Sequence, residues 1–288
     1  MEVVRDRSAL TTAVAKLPRP LGFVPTMGAL HAGHHSLLET ARIQNHSVVA
    51  SLFVNPRQFA AGDDLVRYPR DEAADLEVFR TAGVDVAFVP AVEAMYPQGF
   101  ATSVNVGAVG EVLEGEARPG HFEGVSTVVT VLLSLVRPDR AYFGQKDGQQ
   151  VAVVRRLVAD LGPPVEVVVL PTVREADGLA LSSRNRYLSR AERAAAPILY
   201  RALRDAVEAH QQGTRDADGL RSGMRAMVNR EPLATLEYVS VADSATMQEL
   251  TESRDGALVS IAVRFPSARL IDCAVLGERP EGSPPSGR

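Results

Sequence analysis

Residues 21–35 read Leu-Gly-Phe-Val-Pro-Thr-Met-Gly-Ala-Leu-His-Ala-Gly-His-His. The apolar run at 21–24 predicts a buried strand, the segment after it a glycine-containing turn, and the spacing from residue 34 onward a helix. A strand that ends in such a turn and opens a helix leaves unpaired backbone N–H groups and a partial positive charge, which suits a phosphate. His31 and His34 flank Gly33 at that point and add two imidazole donors. Histidines spaced by three also occur as metal ligands, but no third ligand stands beside them and His35 points elsewhere on the turn. The stretch therefore predicts a nucleotide site.

Outward from it, short Val- and Ile-rich runs alternate with helical patterns. Strands are expected at 21–25, 47–54, 84–89, 140–143 and 165–170, and helices at 34–45, 70–82, 124–136 and 147–161. That alternation implies α/β architecture, a parallel sheet covered on both faces with ligands beyond the carboxyl ends of its strands. From about residue 172 the pattern changes. A polar loop at 172–186 leads to helices near 190–211 and 216–229, then strands near 235–241, 257–263 and 269–276, which reads as a smaller α+β domain able to close over the first. The expected division is 1–172, 173–277 and a disordered tail at 278–288.

Composition narrows the class. The 288 residues, 45% of them hydrophobic, suffice for one large or two ordinary domains. No run of eighteen apolar residues and no charged-then-apolar leader is visible, so a cytoplasmic location with no membrane association is expected. Cys273 is the single cysteine, which rules out an internal disulfide and a thiolate zinc site, and it reads as a small buried apolar residue. A net charge of −4 argues against nucleic acid as partner, because phosphate backbones are held through clustered positive charge. Of 31 Lys and Arg residues only Lys16 and Lys146 are lysine. A chain that uses arginine nearly everywhere but keeps lysine at 146 points to a need for a compact ammonium.

Four further segments carry candidate chemistry. Tyr142-Phe-Gly-Gln-Lys-Asp-Gly-Gln-Gln150 follows a strand and opens a helix, with Gly144 allowing close backbone approach and Asp147 a cap. The loop at 177–186 is dense in donors; Ser182, Ser183 and Arg184 could grip a polyphosphate as a mobile clamp, although serine-rich loops are commonly only turns. Asn55-Pro-Arg-Gln58 ends the second strand as a turn. Its neutral amide at Gln58, with Gln150, can hold hydroxyls or a carboxylate without ion pairing and so leave the carboxylate nucleophilic. Arg118-Pro-Gly-His-Phe-Glu-Gly124 lines a cleft or shapes a loop, and spacing alone does not choose.

Together and in this order the segments resemble the pantothenate synthetase (pantoate:β-alanine ligase, AMP-forming) family of the HIGH-motif nucleotidyltransferase superfamily. The resemblance rests on Met27-Gly-x-Leu-His-x-Gly-His34, Phe53-Val-Asn-Pro-x-Gln-Phe59, Tyr68-Pro-Arg70, Arg118-Pro-Gly-His-Phe-x-Gly-Val125, Arg137-Pro-Asp139, Phe143-Gly-x-Lys-Asp147 with Gln149-Gln150, and Ser182-Ser-Arg-Asn185, and covers roughly residues 20–276. It implies a Rossmann-like parallel-sheet domain, a smaller C-terminal α+β lid domain and a homodimer. It also implies an acid–amino-acid ligase of coenzyme A biosynthesis that joins pantoate to β-alanine through a pantoyl adenylate, with ATP as substrate and Mg2+ carried on the phosphates.

By the same resemblance His34, His31, Lys146, Ser182, Ser183 and Arg184 are catalytic donors, His34 at the position of the proton donor. Met27, Gly28, Ala29, Leu30, His31, Ala32, Gly33, His34, Gly144, Gln145, Lys146, Asp147, Val173, Leu181, Ser182, Ser183 and Arg184 match ATP-binding stretches. Gln58 and Gln150 match pantoate contacts, Gln58 near β-alanine too. No protein metal ligand is assigned, with Asp75 at most an outer one. The chain departs from the family pattern at His35, Gln145, Gly148, Leu181 and the ending Ile271-Asp-Cys273. Two alternatives remain: a nucleotidyltransferase that keeps the nucleotidyl group on its product, and a non-catalytic nucleotide- or RNA-binding module.

Overall fold

The computed structural model describes residues 1–59 and 65–278; the distal part of the expected tail, 279–288, lies outside the described residues. The chain divides into two compact units, one formed by Met1–Gly144 and Gln150–Leu170, the other by Gln145–Gln149 and the chain from Pro171 on.

The first unit runs β1 (Glu2–Val4), α1 (Arg7–Val14), β2 (Leu21–Thr26), α2 (Ala32–Gln44), β3 (Ser47–Leu52), α3 (Glu72–Thr81), β4 (Val86–Phe88), α4 (Val92–Met95), α5 (Glu114–Ala117), α6 (His121–Val136), β5 (Arg140–Gly144), most of α7 (Gly148–Leu161) and β6 (Glu166–Leu170). Its six strands are all parallel, in the order β1-β4-β3-β2-β5-β6. This is the expected Rossmann-like sheet, extended by β1 and α1, which the sequence reading did not include. The strands read as continuous apolar runs because both faces are covered; Val48, Val49 and Ala50 of β3 are wholly buried. Helix α6, apolar on nearly every side, is buried along most of its length.

The strand order reverses at β2, since the chain moves from β2 to β3 and β4 on one side and returns to β5 on the other. A ligand crevice opens beyond the carboxyl ends of strands at such a reversal. The ladder between β2 and β5 covers only Gly22 with Arg140 and Phe23 with Ala141. Pro25, two residues on, has no N–H with which to extend it.

In the second unit, α8 (Arg190–Ala195), α9 (Ile198–Gln211) and α10 (Ala217–Val228) accompany an antiparallel sheet of β7 (Thr235–Ala242), β8 (Leu258–Arg264) and β9 (Arg269–Val275). Pro197 separates α8 from α9, where one helix at 190–211 was expected; proline cannot donate the hydrogen bond that continuity requires. Helix α9 buries Leu199, Ala202, Leu203, Ala206 and Val207, a stripe at spacings of three and four. Arg174 and the buried Asp272 form a two-pronged ion pair, 2.6 and 3.1 Å, with the guanidinium 4.8 Å from the Tyr200 ring centroid. This ties the segment leading to the Ser182 loop onto β9.

Candidate active site

The turn after β2 follows from local chemistry. Thr26 Oγ1 accepts the Gly28 N–H at 3.3 Å, and Gly28 (φ +85°) and Ala29 (φ +52°) lie consecutively in the left-handed region. Helix α2 then begins with His31 as N-cap: its Nδ1 accepts from Gly33 N at 3.2 Å, while His34 Nδ1 accepts from His31 N at 3.3 Å. This is a capping box made of two histidines.

The tautomers follow directly. A backbone nitrogen can only donate, so neither Nδ1 carries a hydrogen, and in both neutral rings the proton sits on Nε2. The ring centroids are 4.2 Å apart. The turn thus presents two Nε2–H donors of fixed tautomer.

The expectation of unpaired amides for a phosphate is corrected here. Ala29 N and Leu30 N donate to the two carboxylate oxygens of Asp75, at 3.0 and 2.9 Å, and His34 N donates to His31 O at 2.8 Å. The amides are occupied because the chain supplies its own anion from α3. These amides are engaged within the chain, and the two imidazoles stand beside them.

Gln58 closes the 3-10 turn Pro56–Gln58 after β3 and is held from both ends. Asn55 Nδ2 donates to its Oε1 at 3.0 Å, so the amide NH2 of Gln58 is the group turned away from Asn55, and its Nε2 lies 3.2 Å from Met27 Sδ. Asn55 is fixed in turn by the Tyr96 hydroxyl, which donates to Asn55 Oδ1 at 2.8 Å; burial pushes the Tyr96 phenol up to about 12, so it keeps its proton. The Gln58 carbonyl accepts from His121 Nδ1 at 2.7 Å and from Arg118 at 3.2 Å. The 118–124 segment, ambiguous in sequence, therefore braces the glutamine.

The brace requires glycine at 124, where a Cβ would lie 2.2 Å from the Arg57 carbonyl oxygen. Gly124→Ala should cost about 1–3 kcal/mol, as overpacked interiors do. Urea unfolding checks this, and an unchanged unfolding midpoint would show that α6 and the turn separate without cost. Gln150, in the first turn of α7, is half-buried.

In the second unit, Lys146 sits on the 3-10 turn Gln145–Asp147, its side chain 20% exposed and its Nζ 3.4 Å from Asp147 Oδ1. Asp147, expected to cap a helix, stands immediately before Gly148 at the start of α7 and pairs with the lysine. Gly144, which precedes the turn, has open space where a Cβ would project. Beneath the turn lies Cys273, whose thiol donates to the Gln145 carbonyl at 2.9 Å. A Cβ on Gly148 would come within 2.9 Å of Cys273 Sγ and of Leu258, so two departures from the family pattern occupy one space. Burial pushes the thiol up to about 12. Iodoacetamide at pH 8 should modify Cys273 only after denaturant is added; labelling of the native protein at the denatured rate would contradict this.

The loop bearing Ser182, Ser183 and Arg184 follows a hairpin that is tied down by several contacts. Leu181 N donates to Val173 O at 3.0 Å and Arg174 bridges Ala180 across a short hairpin. Arg193 pairs with both Glu175 and Asp177 at 2.6 Å. Ser182 Oγ accepts from Arg184 N at 3.2 Å, capping the 3-10 turn Ser183–Tyr187, so the turn-cap reading of this serine also holds.

Residues 2–275 match the family model described as pantoate-beta-alanine ligase. The chain is 58% identical over 253 residues to a pantothenate synthetase of Chloroflexus aurantiacus, covering 88% of this chain and 90% of the relative. It is 52% identical over 276 residues to one of Roseiflexus sp. strain RS-1, covering 96% and 99%. The crystal structure of pantothenate synthetase from Thermus thermophilus superposes with a TM-score of 0.91 at 50% identity, covering 95% of this chain and 99% of that one. A pantoate-beta-alanine ligase from Francisella tularensis, complexed with beta-gamma ATP and beta-alanine, superposes at 0.78 with 32% identity over 98% and 100% of the two chains.

Proposed function

The chain belongs to the pantoate-beta-alanine ligase family, and from that membership we propose that it condenses (R)-pantoate with β-alanine to pantothenate, using ATP, in two steps. In the first, a pantoate carboxylate oxygen attacks the α-phosphorus, the bond to the β-phosphate oxygen breaks, and pantoyl adenylate and pyrophosphate form. In the second, the β-alanine amine attacks the acyl carbon, the C–O bond to AMP breaks, and the amine gives up a proton.

The observation that carries this reading is the histidine capping box, which fixes two Nε2–H donors on the turn after β2. Negative charge spreads over phosphate oxygens as the α-phosphorus is attacked, and donors already oriented stabilise it without reorganising. His31 and His34 serve as such donors through their Nε2–H groups, His34 hydrogen-bonding to the leaving oxygen. Lys146, Ser182, Ser183 and Arg184 add charge and hydrogen bonds to the phosphates. Gln58, whose NH2 is turned away from Asn55 and toward Met27, donates to pantoate, with Gln150 as the second amide. Neither neutralises the carboxylate, which keeps its nucleophilicity.

In this reading magnesium arrives on the nucleotide phosphates, as it commonly does where phosphates are transferred. Among the described residues no helix is long and apolar enough to cross a membrane. A cytoplasmic homodimer completes the proposal, on the family resemblance, and sedimentation tests the dimer.

The decisive assay follows products. ATP with pantoate should release pyrophosphate, and continued turnover to AMP should require β-alanine. Formation of ADP and phosphate would overturn the adenylate route, and a product that retains AMP would favour the nucleotidyltransferase alternative.

A further inference from the structure

We propose that Asp75 is a positioning residue for adenylation, holding the turn that aims the two histidines, and is not the ligand of the magnesium ion. The proposal rests on the function given above. Asp75 lies in the first turn of α3 and is 4% exposed. Its Oδ2 accepts from Ala29 N at 3.0 Å and its Oδ1 from Leu30 N at 2.9 Å, the last two amides before the N-cap His31. A Cβ on Gly28 would lie 2.8 Å from Asp75 Oδ2, so the turn rests directly on the carboxylate.

Burying a carboxylate is costly unless it is neutralised. Here two amide donors and the positive N-terminal ends of α2 and α3 neutralise it. In return the carboxylate sustains Gly28 and Ala29 in left-handed conformation, unfavourable for alanine. That geometry sets where α2 begins, and therefore which backbone N–H each histidine Nδ1 receives. Asp75 acts on the phosphates through the histidines.

Asparagine at 75 keeps the shape but sets an NH2 donor against one of the two amides, which have nothing to accept with. Asp75→Asn should lower kcat for pyrophosphate release from ATP and pantoate by about 10²-fold, the usual cost of a displaced catalytic group, with KM for ATP and the half-maximal Mg2+ concentration moving less than about threefold. Long-range 1H–15N correlations of labelled histidine should show both rings as Nε2–H in the parent and mixed tautomers in the variant, an effect that a general loss of stability would not produce. If kcat recovers at high Mg2+, Asp75 is a metal ligand and the proposal fails. If kcat and tautomers both match the parent, it fails as well.

Should the variant not fold, hydrogen exchange on the parent decides. The Ala29 and Leu30 amides should be protected without nucleotide; protection that appears only when ATP binds would make phosphate their partner and overturn the assignment. These two readouts need no turnover. A parent that releases no pyrophosphate would therefore sink the proposed function while leaving Asp75 still open to decision.

Discussion

Replacing Lys146 with arginine is expected to lower adenylate formation by about 10²-fold or more, the scale of losing one oriented electrostatic donor, while the protein folds and melts as before. The substitution keeps the charge, so the expectation depends on shape. An ammonium is a compact charge on a flexible stem and can approach a single phosphate oxygen from any side. A guanidinium is planar, broader and bound to a forked geometry. The turn carrying Lys146 leaves little freedom to adapt: its side chain is already four-fifths covered and paired with Asp147, and the Cys273 thiol holds the Gln145 carbonyl from beneath. A chain that otherwise prefers arginine so strongly makes the retained lysine all the more telling. Pyrophosphate release and a thermal melt, measured together, decide. Near-parental kcat in the folded variant would leave the argument from lysine usage empty.

The second large effect separates what the two histidines do for the helix from what they do for the reaction. Asparagine is among the best N-cap residues, and glutamine is an ordinary partner at the third position of a capping box. His31→Asn and His34→Gln should therefore preserve the start of α2. Both lose the imidazole Nε2–H. Each variant is expected to lose about 10²-fold in kcat for pyrophosphate release, and the pair more, with unfolding midpoints equal to or above the parent's. A drop in stability matching the drop in rate would mean that the histidines serve mainly as caps.

Much of the sheet was legible in the sequence because parallel strands buried on both faces are bare apolar runs. Leu21–Thr26 and Ser47–Leu52 could be read as strands without any partner in view. What was missed divides by cause. Glu2–Val4 is too short and too exposed to carry a pattern, and the break between α8 and α9 was available from Pro197 but was overridden by the Ala- and Arg-rich run around it.

The strand, turn and helix around residues 25–34 were legible, yet the turn's amides were read as unpaired when Asp75, some 46 positions along the chain, already holds two of them. The same limit hid the relay from Tyr96 through Asn55 to Gln58 and the support of His121 under the Gln58 carbonyl. Such contacts join distant segments and leave no periodic trace. One local signal did exist: Gly124, in the first turn of a helix, announced that something packs closely there.

The histidine capping box also bears on adventitious transition metals. A zinc or nickel ion binds imidazole through a lone pair, and each ring here has only two nitrogens to offer. At His31 and at His34 the lone pair of Nδ1 is already directed at a backbone N–H, and Nε2 presents a hydrogen instead. To chelate, an ion would have to expel a proton or uncap α2. The arrangement that equips the pair to donate also withholds it from soft cations.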